Sequence, residues 1–206
     1  MSDAGRKAHW ESVYATKGES EVSWFQEDPA PSLELIALAG IPPDAAIIDI
    51  GGGASRLVDG LVARKFTRLT VLDLSEAALA VARQRLGDKA ATVGWEIADI
   101  TKWQSSGTYD LWHDRAAFHF LIDPADQSAY VDRLKKAVKP GGYVVIGTFA
   151  LDGPERCSGL PIVRYDAPAL SVILGTGFKL IDARRHDHAT PWGALQRFQF
   201  STFRRS

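Results

Sequence analysis

Between residues 45 and 149 short apolar runs alternate with longer stretches whose apolar groups recur at helical spacing. "AAIIDI" reads as a buried strand, "SRLVDGLVARK" as a helix, "RLTVLDL" as a strand, "SEAALAVARQRLG" as a helix capped by Ser75, and "TVGWEIADI" as a strand. "YDLWHD" follows, then "AAFHFLIDPADQSAYVDRLKKAVK", which Pro124 divides into two helical pieces, and "PGGYVVIGTFA", a glycine turn feeding a strand. Parallel strands need a crossover element between them, so this order predicts right-handed crossovers and a parallel sheet with helices on both faces. After a loop-rich stretch come a helix, "APALSVILG", and two strands, "FKLIDARR" and "ALQRFQFSTFR". No helical pattern separates those strands, so they are predicted to pair antiparallel at one edge. The fold class is therefore α/β: three layers, doubly wound, mostly parallel, with an antiparallel edge strand.

Residues 1–40 precede this alternation. "GRKAHWESVYATKG" places Trp10, Val13 and Tyr14 at helical spacing, and "PSLELIALAG" repeats the pattern before Gly40 and the Pro42-Pro43 stop. The chain of 206 residues is read as one domain, residues 41–206, with residues 1–40 as a helical cap. Its 24 basic and 25 acidic side chains leave a formal charge of -1, which gives no global field for nucleic acid or an anionic membrane. One cysteine, Cys157, excludes an intramolecular disulfide framework. The first residues lack the apolar core of a signal peptide and no run is apolar enough to span a membrane, so a cytoplasmic location is expected.

Gly51, Gly52 and Gly53 fall between the first strand and its helix, where doubly wound folds bind ligands. Side chains are missing at the place where a ligand would approach the backbone. A tight turn without a ligand reads the same way, and the dinucleotide pattern G-x-G-x-x-G fails because Arg56 occupies its last place. The phosphate-loop pattern is also missing. Asp49, two residues ahead of the glycines, repels phosphate and favours a cation. Asp73 closes the second strand, where a carboxylate accepts bonds from both hydroxyls of a ribose, and Asp99 closes the third, where it can receive an exocyclic amine. Each acid alone reads equally as a helix cap or a solvated strand end. Together with the turn, they outline a pocket for a positively charged nucleoside.

"DIGGGAS", "VLDLS" and "IADI" resemble the successive cofactor motifs of the class I S-adenosylmethionine-dependent methyltransferases, and "LKKAVKPGGYVVIGTF" resembles that fold's entry to its fifth strand. The likeness runs from about residue 45 to 149, with Ser55 standing where many members have another glycine. It implies a Rossmann-like methyltransferase fold of seven strands and S-adenosyl-L-methionine as cofactor. Carried onto this chain, it implies that Gly51, Gly52, Gly53 and Ser55 border the amino-acid end of the cofactor and Asp49 its ammonium. Asp73 with Leu74 would hold the ribose, and Asp99 with Ile100 the adenine. The spacing "HWESVY...SWF" is similar to the segment ahead of the core in a branch that includes eukaryotic elongation-factor lysine methyltransferases, which makes Trp10, Tyr14 and Trp24 candidates for covering the cofactor.

Methyl transfer from a sulfonium needs alignment and exclusion of water more than it needs an acid or base. "YDLWHDRAAFHFL", at the end of the fourth strand, supplies Asp114 and Arg115 as pocket residues and His113 or His119 as proton acceptors. Cys157, Arg164 and Tyr165 sit in a loop placed to face the acceptor. His186 and His188 share one side if their segment is extended, but no third ligand accompanies them, so no metal is expected. The leading expectation is a monomeric or weakly dimeric enzyme acting on a small molecule. The alternatives are methylation of a protein lysine and a nucleoside-binding module without turnover.

Overall fold

The computed structural model describes residues 3–206, so the first two residues of the expected cap lie outside it. In chain order, α1 spans Asp3–Thr16, α2 Ala30–Leu38, β1 Ala46–Ile50, α3 Leu57–Ala63, β2 Arg68–Asp73, α4 Glu76–Leu86 and β3 Val93–Ile97. Then come β4 (Tyr109–Arg115), α5 (Pro124–Ala137), β5 (Val138–Phe149), the short hairpin β6–β7 (Arg156–Cys157 and Leu160–Pro161), α6 (Ala167–Leu174), β8 (Phe178–Ala189) and β9 (Leu195–Arg205).

Seven strands form one sheet in the order β3-β2-β1-β4-β5-β9-β8. β1 pairs in parallel with both β2 and β4, so the strand order reverses between β1 and β4, and a crevice opens there beyond their carboxyl ends. β9 runs antiparallel to β5, and the edge strand β8 runs antiparallel to β9. β1 is buried along its whole length because both faces of the sheet are covered. Ile48 and Ile50 enter a core with Trp112, Phe118 and Tyr130 under α5 and α6, while Ile47 enters the opposite core with Leu33, Ile36 and Leu57 from α2 and α3. Thus α2 packs into the sheet layer, and α1 with the loop after it forms the outer cover.

Local chemistry sets the helix boundaries. The Ser75 hydroxyl accepts from the Ala78 N–H at the start of α4, and Asp123 and Asp166 do the same for α5 and α6, each followed by a proline in the first turn. The expected helical piece "AAFHFL" is only a single 3-10 turn, Phe118–Phe120. Asp114 accepts from the N–H groups of Ala117 and Phe118, and Ala116 sits at φ 68, so the backbone is bent away from a helix. β3 ends before Asp99, whose carboxylate turns back to the N–H and hydroxyl of Thr101. β8 continues four residues past "FKLIDARR", through His186 and His188 to Ala189, because its register with β9 holds to Ala189–Leu195. No helix among the described residues is long and apolar enough to cross a membrane.

Candidate functional site

A cleft of about 830 Å³, its open mouth included, lies at the carboxyl ends of β1, β2 and β4 beneath α1. A second of about 550 Å³ adjoins it, and Tyr14, Trp24, Gly51 and Arg115 line both. The glycine turn forms the floor between them. The N–H of Gly51 donates to the Leu72 carbonyl at 2.8 Å, tying the turn to β2. Gly51 has φ 65, and a Cβ there would meet the Ala117 methyl at 2.6 Å, while Gly53 has φ 43 and a Cβ there would meet an Asp73 oxygen at 2.9 Å. A substituent at either position would be strained and would fill the space between the turn and its neighbours. Gly52 and Ser55 line the second cleft, and Ser55 Oγ accepts from the Leu57 N–H.

Asp73 lines the first cleft with Leu74, and one carboxylate oxygen accepts from the Ser75 N–H at 2.8 Å. Burial pushes its pKa up to about 7, with Asp49 and Glu11 adding to the rise and the Ser75 and Leu74 N–H groups opposing it. An acid in that state gains from any hydroxyl donor brought to it. Asp99 and Ile100 line the same cleft, with Asp99 also accepting from Arg6 at 3.1 Å. Asp49 is placed differently from its two companions. It is buried, lines the second cleft, and pairs with His113 Nδ1 at 2.7 Å.

The end of β4 corrects part of the sequence reading. His113 Nε2 is 2.8 Å from the Ser32 hydroxyl, so both ring nitrogens are occupied. His113 therefore bridges Asp49 of β1 to Ser32 of α2. Asp114 is fully buried away from the cleft, where Tyr130 donates to it at 2.7 Å together with the Ala117 and Phe118 N–H groups. It fixes the turn and does not line either cleft. His119 is also fully buried beside Phe120 and Phe149, and burial, followed by the Arg115 cation, lowers its pKa to about 3. That value makes it a poor base at neutral pH. Of the four, Arg115 lines both clefts and His113 lines the second.

Trp10, Tyr14 and Trp24 all line the first cleft, as a roof. Trp24 Nε1 donates to the Tyr14 hydroxyl at 3.1 Å, and the Trp10 ring stands edge-on to Trp24 and Phe120 at 5.6 and 5.0 Å. Two anchoring groups escaped the sequence reading. Arg6 pairs with Asp99 and with Asp126 of α5. Glu11 accepts from the Ser75 hydroxyl and from the N–H groups of Glu76 and Ala77, so α1 caps α4 from outside. Burial opposes ionisation of Glu11, but these donors outweigh it and hold the carboxyl below the usual range. The available signal for Arg6 was helical spacing, since Arg6, Trp10 and Tyr14 recur on one face of α1.

Cys157 reaches the first cleft, and burial pushes its thiol up to about 12. Arg164 instead bonds the Gly153 carbonyl and Glu155, and Tyr165 packs against Phe118. His186 and His188 do share a face of β8, but His188 Nε2 meets the Ser23 carbonyl, and no group of three metal-ligating side chains occurs among the described residues.

Residues 47–142 match the family described as "Methyltransferase domain". A trans-aconitate 2-methyltransferase of Variovorax paradoxus is 32% identical over 123 residues, covering 58% of this chain and 44% of that protein. An EEF1A lysine methyltransferase 2 of Danio rerio is 24% identical over 160 residues, covering 70% and 69%. Among solved structures, the N-methyltransferase NodS from Bradyrhizobium japonicum, in complex with S-adenosyl-L-homocysteine, superposes with a TM-score of 0.72 at 17% identity, covering 99% of each chain. That likeness is one of fold. The chain spans about half the length of several curated relatives that it matches.

Proposed function

We propose that this chain is a class I S-adenosylmethionine-dependent methyltransferase and that it transfers a methyl group from S-adenosyl-L-methionine to a small molecule. The single observation that carries the proposal is the Asp73 carboxylate, half-buried at the cleft wall beside the glycine turn, with its pKa pushed up to about 7. The residues fit the cofactor. Asp73 offers a carboxylate short of donors to two ribose hydroxyls, and Leu74, Ile100 and Leu121 offer apolar walls to a base. Gly51 and Gly53 keep the floor open at the amino-acid end, with Asp49, Gly52 and Ser55 on the adjoining side. When bound, the cofactor supplies an electrophilic methyl group on a cationic sulfur.

The chain's own contribution is alignment and shielding. Trp10, Tyr14 and Trp24 present aromatic edges and faces that attract a cation and exclude water. We assign residues 3–29 to this cover. The Tyr14 phenol stays protonated because burial, then Asp73, raises its pKa, and the Cys157 thiol is held protonated in the same way. Neither serves as a base at neutral pH, which favours acceptors that already present a lone pair.

Isothermal calorimetry with S-adenosyl-L-homocysteine tests the cofactor assignment. Asp73→Ala is expected to weaken binding by about 1.5–3 kcal/mol, the value of hydrogen bonds to a charged group. Unchanged affinity removes the assignment. The relative that methylates a lysine supports a protein acceptor as the second reading. Turnover with small thiols, amines and carboxylates, set beside radiolabelled methyl transfer to lysate protein, separates the two, and a bound cofactor with no transfer to either would mark a binding module.

A further inference from the structure

Arg115 is the last residue of β4, and its guanidinium is only partly satisfied. Nη1 donates to the Trp24 carbonyl at 3.0 Å, whereas Nε and Nη2 are buried without a hydrogen-bond partner. No acidic side chain pairs with it among the described residues. Arg85, by contrast, meets both Asp59 and Glu19. An unpaired buried cation is costly to keep, and its cost is removed when a ligand brings the missing anion. Nε and Nη2 form the side-on edge of the guanidinium, the two-donor fork that matches a carboxylate.

We propose that this edge binds a carboxylate of the methyl acceptor, so the substrate is a small carboxylate-bearing molecule held at the wall between the two clefts. The inference rests on the methyltransferase reading given above. The direction of the side chain favours the acceptor over the cofactor's own carboxylate as the source. The guanidinium carbon lies 4.7 Å from the centre of the Phe198 ring. Phe198 belongs to β9, and β5 separates β9 from β4, so the stacked head leans toward the later strands. Cys157, on the hairpin after β5, lines the same cleft wall. The cation also accounts in part for the neutral state of His119, as expected where positive potential awaits an anion.

Calorimetry on protein preloaded with S-adenosyl-L-homocysteine provides the test, using trans-aconitate, succinate and benzoate, each beside its primary amide. At least one acid is expected to bind wild type tenfold or more tightly than its amide. Arg115→Met should abolish that preference while its S-adenosyl-L-homocysteine affinity stays within threefold of wild type, and Arg115→Lys should retain part of the preference. No acid preferred over its amide, or a preference surviving in Arg115→Met, overturns the proposal. A tenfold loss of S-adenosyl-L-homocysteine affinity in Arg115→Met also overturns it, by giving the guanidinium to the cofactor. If Arg115→Met fails to fold, the wild-type comparison of acid with amide and the Arg115→Lys variant still decide. Failure of wild type to bind S-adenosyl-L-homocysteine is a different result and removes the underlying reading of the cleft.

Discussion

Asp73 shows what one side chain reveals from its sequence position and what it does not. Its place at the end of "LTVLDL" marked it as a ribose candidate, but its protonation depends on burial and on Asp49 and Glu11, which only the fold brings near. A raised carboxyl pKa means that the folded chain keeps a proton the unfolded chain has already lost. Between about 3.8 and about 7 the folded state therefore binds more protons, and Asp73's contribution to stability falls as pH rises through that window. Hydroxyl donors prefer the ionised form, so affinity for S-adenosyl-L-homocysteine is expected to decline as pH drops below about 7, with the decline flattened in Asp73→Asn. Calorimetry across about pH 5.5 to 8.5, roughly one and a half units either side of the Asp73 transition, reads this directly. His113 teaches the opposite lesson. Its sequence neighbours gave no sign of Ser32, 81 positions away, which engages Nε2. Ser32→Ala should lower unfolding free energy by roughly 1 kcal/mol in urea titration and leave cofactor affinity unchanged.

At the scale of elements, capping and periodicity were legible, while the contacts between distant elements were not. Ser75 announced the start of α4, and its hydroxyl does accept the Ala78 N–H. The same residue also donates to Glu11, so one helix start is served from its own chain segment and from α1. This double capping couples the cover to the β2–α4 corner that carries Asp73. Glu11→Ala is expected to weaken S-adenosyl-L-homocysteine binding severalfold and to increase proteolysis within residues 3–29, while Glu11→Gln keeps part of both. Equal cleavage of Glu11→Ala and wild type would show that α1 is held by its aromatic contacts alone. The short 3-10 turn at Phe118–Phe120 is the complementary case, because an apolar run suited to a helix was diverted by Asp114 at its start.

Across the whole molecule, the first cleft draws walls from α1, β1, β2, β4 and the hairpin after β5, so one ligand should stabilise the chain as a unit. At 100 times its dissociation constant, S-adenosyl-L-homocysteine should add about 2.7 kcal/mol and raise the melting temperature by roughly 5–10 °C in one cooperative transition. Two transitions, only one of them shifted, would show that the cover melts separately. The order of strands and helices, the parallel sheet, the glycine turn and the placing of Asp73 at a strand end were determined by the sequence, because local propensity and crossover geometry leave few alternatives. Tertiary structure alone decided that Asp49 would bind His113, that Asp114 would turn inward to Tyr130, and that Arg115 would remain without an acid. Those outcomes depend on which side chains meet across the two faces of the sheet, and packing between residues far apart in the chain sets them.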